Sequence, residues 1–127
     1  MIEILSVIIA ISFFINALLH LLLIFGFPFG EYVLGGKNMV LPLKMRIISF
    51  LFLIIWIIVG ISYLNYGQLI QIPAFSQFDR NLIILTTIFL FVAFFSNGLL
   101  TKSKKERKIM TPFSLVTFVL SCMILFF

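Results

Sequence analysis

The chain is poor in almost everything that water-soluble chemistry relies on. Of its 127 residues only 10% are charged; four are acidic, and there is one histidine, one cysteine and one tryptophan. A lone cysteine, Cys122, forms no disulfide framework and no thiolate site. One histidine with few carboxylates does not supply the three or four ligands of a metal centre, so neither a metal nor another cofactor is expected. The shortage of charge excludes more. With 63% apolar residues, against about 45–50% in soluble domains, a domain this small has too much surface to hide its apolar side chains from water. Lipid is the solvent this composition requires.

What is present is a series of long apolar runs. Ile4–Phe25 is broken only by Ser6, Ser12, Asn16 and His20; its 22 residues rise roughly 33 Å, enough to cross a hydrocarbon core of about 30 Å. Glu3 near the start and the length of the run argue against a cleaved signal peptide. Leu43–Leu64 follows Pro42, well placed in a first helical turn. Leu82–Leu100 follows Ser76-Gln-Phe-Asp79, which reads as a helix-start box. Pro112–Phe127, with Thr111 as N-cap, rises only about 24 Å and is short for a bilayer unless it begins earlier. The expectation is a single all-α domain over residues 1–127, a four-helix transmembrane bundle with helices at about 4–25, 43–64, 82–100 and 110–127.

Nine bases orient it. Lys37, Lys44 and Arg46 flank the first connection, Lys102, Lys104, Lys105, Arg107 and Lys108 fill the third, and Arg80 alone lies on the other side. The positive-inside rule puts the two basic connections in the cytoplasm and both termini outside. Lys102–Lys108 also attracts anionic lipid headgroups, at roughly 1 kcal/mol per base near the surface. It lacks the broad basic, aromatic-interleaved surface of a nucleic-acid binder.

Phe13-Phe-Ile-Asn-Ala-Leu-Leu-His20 echoes Phe94-Phe-Ser-Asn-Gly-Leu-Leu-Thr101. Two readings account for this: a parallel repeat of two hairpins, or coincidence in a chain rich in Phe and Leu. Asn16 and His20 share one helix face, and Asn97 takes the echoed place on the third span. Polar side chains in a span turn inward. They serve either as hydrogen-bonding glue between helices or as a pocket in which His20 exchanges a proton or binds a ligand. Thr86 and Thr87 can bond back to their own helix, Trp56 should pack mid-span against a neighbour, and Tyr63 and Tyr66 fall where an outer aromatic belt is expected.

Between the first two runs lies Gly26–Arg46, holding four of the seven glycines and two of the four prolines. Its apolar content is too high for a solvated loop, so it lies in the interface or dips between helix ends. Glu31 there needs a partner, from Lys37, Lys44 or Arg46, or serves as a functional carboxylate. Gly35-Gly36 permits a tight turn without the spacing of a phosphate loop.

Gly26, Pro28, Gly30, Gly35, Gly36, Leu41, Pro42, Arg46 and Ser49, followed by Asn97, Thr101, Ser103, Glu106, Arg107 and Pro112, resemble the pattern of a family of small four-helix bacterial integral membrane proteins of uncharacterised function. The resemblance implies a shared fold and a cytoplasmic-side site, and no reaction. Asn16, His20, Glu31, Arg46, Asn97, Glu106 and Arg107 are the candidate polar cluster at that end. Three functional classes fit a multi-pass protein of the cell membrane. It could have a non-enzymatic accessory, protective or regulatory role toward a membrane partner or lipid. It could be an oligomeric small-solute or proton-coupled transporter, or an embedded enzyme acting on a lipid-soluble substrate. No catalytic residue is assigned. The expected partners are the bilayer, anionic headgroups, and a second copy or another membrane protein.

Overall fold

A computed structural model describes residues 1–33 and 38–126; of Glu31 it describes the backbone alone. Gly35, Gly36 and Lys37 of the first connection lie outside the described residues, as does the Glu31 side chain. Among the described residues the chain is helical, without strands. The elements in order are α1 (Ile2–Ile24), a 3-10 turn (Gly30–Tyr32), α2 (Leu43–Tyr66), a one-turn α3 (Pro73–Ser76), α4 (Asp79–Phe95) running into a π-helical turn (Ser96–Leu100), and α5 (Lys104–Phe126). Four of them, with the π turn counted as part of α4, are long and apolar enough to cross a membrane.

One face of each helix is buried. On α1 the buried positions Leu5, Ile9, Phe13, Ala17 and His20 recur every three or four residues, while Ile4, Ile8, Ile11, Ile15 and Leu18 face outward, the stripe expected of a helix with one packed side. Hydrocarbon outside is as apolar as leucine inside, so close packing and hydrogen bonds hold such helices together rather than flight from water. Gly60 of α2 shows the packing: a Cβ there would run into the ring of Phe14 on α1. α1 packs chiefly on α2 and α5 chiefly on α4. The α1–α5 seam is the loosest of the four that close the bundle.

Hydrogen bonds cross the centre. Tyr63 Oη lies 2.6 Å from Ser121 Oγ, and Ser121 Oγ lies 2.6 Å from Thr87 Oγ1. Thr87 gives its own proton to Ile83 O at 2.7 Å. Thr87 must then accept from Ser121, and Ser121 from Tyr63, which orders the protons along one chain through α2, α5 and α4. Tyr63 is thus fully buried rather than in an outer belt. A partner hydroxyl on the facing helix makes a buried phenol satisfiable, and hydropathy cannot see that. Tyr66 stays half-exposed and accepts from Arg80 Nη1 at 3.0 Å.

Two helix boundaries differ from expectation. Ser76 donates to Ile72 O instead of capping α4. Asp79 opens α4 with its carboxylate taking the Arg80 N–H and the Asn65 amide. Further along, α5 begins eight residues before Pro112. Ser103 Oγ accepts the Glu106 N–H at 3.2 Å, the N-cap half of a Ser-x-x-Glu box. The basic run is therefore the first turns of α5, and its 23 residues, about 34 Å, are no longer short for the bilayer. Pro112 sits exposed inside the helix, and Thr111 Oγ1 caps nothing.

The first connection is a folded cap. α1 ends in a Schellman motif, Phe27 N to Leu22 O and Gly26 N to Leu23 O, with Gly26 at φ +92°, where glycine carries no Cβ penalty. Gly30 N donates to Met39 O at 2.8 Å, and a Cβ on Gly30 would strike the Asn38 and Met39 carbonyls. Val33 and Leu41 are thereby buried with Leu23 in a small second core, against Leu19, Tyr32, Met45 and Met110. The cap packs on α5.

Candidate functional site

Beneath this cap, a cavity of about 130 Å³ enters the bundle between α1, α2, α4 and α5. Its polar lining is Asn16 and His20 of α1, Asn97 of the π turn, and Glu106 and Ser114 of α5; its floor is aromatic, from Phe13, Phe52, Trp56 and Phe89. Helical spacing explains the first two, since positions four apart share a face. Asn97 reaches inward from a π-helical turn, an element that recurs at functional sites, and donates through Nδ2 to Ser114 Oγ at 3.1 Å and more weakly to Met110 O at 3.5 Å.

His20 is held from two sides. Its Nδ1 lies 3.2 Å from Ser49 Oγ on α2, and its ring stacks on Phe52 with centroids 5.2 Å apart. Trp56 is nearly buried and packs against Phe13 at 5.1 Å and Phe89 at 5.4 Å. Glu106 is also buried. Its place in the first turn of α5 suits a carboxyl, because the N-terminal end of a helix carries partial positive charge. The bases around it lie on the exposed side of the same turns; they oppose that dipole, so helix stability is not what put them there.

Two polar atoms on this wall are buried without a partner: the side-chain oxygen Oδ1 of Asn16 and the indole Nε1–H of Trp56. Leaving one such group unsatisfied costs about 1–3 kcal/mol, and the cavity has room for several waters or a small polar group.

The cavity adjoins a second space. An apolar groove of about 420 Å³ runs outside it between α1, the first connection and α5. Asn16, Tyr32, Met110 and Phe113 line both. The groove's outer walls, Ile15, Leu18, Phe29 and Ile109, are exposed within or beside the spanning lengths. It follows the loose α1–α5 seam. Lys105 stands at its rim, with Nζ 5.9 Å from the centroid of the Tyr32 ring, within cation–π range.

Asn16, His20, Asn97 and Glu106 thus come together around one cavity. Arg46 lies apart: its Nε donates to Leu41 O at 2.8 Å, and its guanidinium lies against Gly26, where it ties the first connection to α2. Arg107 is exposed and donates to Thr101 O at 2.8 Å. Each guanidinium is taken up by a carbonyl of its own connection. Ser49, Trp56 and Ser114 join the site unannounced. Ser49 and Ser114 are single hydroxyls in apolar runs, and only the facing helix gives them a role. Among the described residues, no cluster of His, Cys, Asp and Glu is suited to a metal ion. No family model matches this chain, and no curated protein or solved structure matches it.

Proposed function

We propose that this chain is a small multi-pass protein of the cell membrane with a non-enzymatic accessory, protective or regulatory role, exercised through a lipid-phase ligand or membrane partner at its basic end. The observation that carries the reading is the adjoining pair of spaces, a cavity inside the bundle with polar side chains on its wall and an apolar groove outside it between α1 and α5. An amphiphile meets both environments at once, and sites between the helices of a bundle are common places for ligands. Eight of nine bases flank the connections at this end, which by the positive-inside rule faces the cytoplasm and leaves both termini outside. The exposed bases of α5 add attraction for anionic headgroups around the rim. The resemblance to small four-helix bacterial membrane proteins accords with the same class.

Native mass spectrometry of the protein released from nanodiscs tests this role. A lipid, or a co-purifying membrane protein, should remain bound at defined stoichiometry. A bare chain under conditions that preserve the fold would overturn the reading. A proton-coupled transporter is the second reading, favoured by His20 and Glu106 lining one cavity. It requires that His20→Ala change pH-dependent flux in proteoliposomes.

A further inference from the structure

We infer that the cavity and groove together take a membrane quinone, a flat uncharged ring with two carbonyl oxygens on a hydrocarbon tail. The ring lies against His20 and the tail in the groove between α1 and α5. This rests on the reading of the basic end as the site of a lipid-phase ligand and adds the chemistry of its head.

The donors come first. Ser49 Oγ has His20 Nδ1 as its one partner among the described residues, at 3.2 Å, and Ser49 is fully buried. Were the ring to donate, the serine proton would be shut in without an acceptor, at a cost of about 1–3 kcal/mol. Ser49 therefore donates to Nδ1, and the neutral ring, which carries one proton, carries it on Nε2. Among the described residues, the side-chain atoms both enclosed and unpartnered belong to Ser6, Asn16 (its Oδ1), Trp56 and Thr111. His20 Nε2 has no partner among the described residues either, yet it is not one of the enclosed atoms. A side chain only 4% exposed thus presents an N–H to the cavity it lines. The same holds for Nδ2 of Asn16, one turn earlier on the same face and on the wall of both spaces. Two donors call for acceptors, and a carbonyl oxygen accepts without having a proton of its own to place.

The shape of the head follows from the rings. His20, Phe52, Trp56 and Phe89 stand in a continuous run, with successive centroids 5.2, 5.8 and 5.4 Å apart, and all four line the cavity. A ring pair at such distances gains about 0.5–1.5 kcal/mol beyond its buried area, so a flat head gains where a glycerol does not. The lining holds neither lysine nor arginine to receive an anion, and a quinone ring brings no charge. At about 130 Å³ the cavity is well below the roughly 300–1,000 Å³ of sites that enclose a drug-sized ligand. It takes a single ring and leaves the tail outside. The groove, about 420 Å³ and walled by Ile15, Leu18, Leu19 and Leu22, receives that tail.

Trp56 is the chain's single tryptophan and belongs to the run of rings. Quinones quench indole fluorescence on contact, so the site carries its own reporter. The protein in phosphatidylcholine vesicles is titrated with a decyl-tailed benzoquinone. Quenching should saturate at a low mole fraction, and decylbenzene, which has the ring and tail without the carbonyls, should not relieve it at an equal mole fraction. His20→Phe, which keeps a ring and removes the N–H, should raise the midpoint about tenfold, the loss of one buried hydrogen bond. His20→Gln, whose amide returns an N–H close to the same point, should recover most of that loss. Leu22→Phe, which fills the groove away from the head, should raise the midpoint independently and guards against a folding defect at His20. Quenching that rises without saturation overturns the inference, as does relief by decylbenzene, or a midpoint unchanged in either His20→Phe or Leu22→Phe. Saturable quenching by a brominated fatty acid in place of the quinone overturns it too. If lipid is retained in native mass spectrometry while the quinone fails here, the head is wrong and the lipid-phase role stands. A bare chain there, together with unsaturating quenching here, overturns both.

Discussion

Gln68 shows how one residue's backbone can be read as a local cost. α2 ends as α1 does, in a Schellman arrangement with Gln68 N bonded to Asn65 O and Leu69 N to Leu64 O. Gln68 takes the left-handed position at φ 63°, which α1 gives to Gly26. A residue with a Cβ loses about 1–2 kcal/mol in that conformation, and Gln68 is exposed with nothing to gain there. Gln68→Gly should therefore stabilise the protein by about 1 kcal/mol, read as a higher midpoint in SDS-titrated unfolding from mixed micelles. An unchanged or lower midpoint would show that the turn gains something from the glutamine side chain. Asn65, just before this turn, is the hub of the same end. Its Nδ2 donates to Asp79 Oδ2 at 2.8 Å and its Oδ1 accepts from Ile72 N at 2.7 Å, which ties α2 to the start of α4.

Among the elements, α5 departs furthest from what its local sequence suggests. Thr111-Pro112 has the composition of a helix start, yet the helix starts at Lys104 because Ser103 and Glu106 offer a cap and the tail of α4 stops at Leu100. The proline then falls where it removes one helical hydrogen bond, a tolerated loss in a spanning helix that has neighbours to lean on. The two candidate starts make opposite predictions. Ser103→Ala should destabilise by about 0.5–2 kcal/mol and speed hydrogen exchange in the first turn of α5. Thr111→Val, which keeps the shape and deletes the unpartnered hydroxyl, should be neutral or stabilising. The reverse ranking would move the start of the helix to Thr111.

Over the whole molecule, stability and orientation are separate questions. The Tyr63–Ser121–Thr87 chain joins three of the four spans, and each hydrogen bond between membrane helices contributes about 0.6 kcal/mol on average. Tyr63→Phe and Thr87→Val should each cost on that order. In a double-mutant cycle they should be less than additive, because both act through Ser121; strict additivity would mean that the hydroxyls do not form a chain. Orientation is read by labelling in a Cys122→Ala background. A Ser76→Cys variant should react with an impermeant maleimide added from outside, whereas a Ser103→Cys variant should react only after the membrane is opened. Labelling of Ser103→Cys from outside would invert the arrangement.

Length and apolar runs determine four long helices, because a spanning helix satisfies its own backbone and needs only about 20 apolar residues to be recognised. The inward turn of Asn16, His20 and Asn97 is equally local, set by periodicity along each helix. Which partners they meet is not local. Trp56, Glu106 and Ser114 are brought to the cavity, and Ser49 to His20, by the way α2 and α5 are rotated against α1 and α4. That rotation follows from small contacts such as Phe14 on Gly60 and Tyr63 on Ser121. Arg46 and Arg107, close to the cluster in sequence, are taken up by carbonyls of their own connections. The groove along the α1–α5 seam exists only in the assembled bundle. No single helix encodes how closely it will approach its neighbour, and there the tertiary structure alone decides where polar cavity and apolar groove meet.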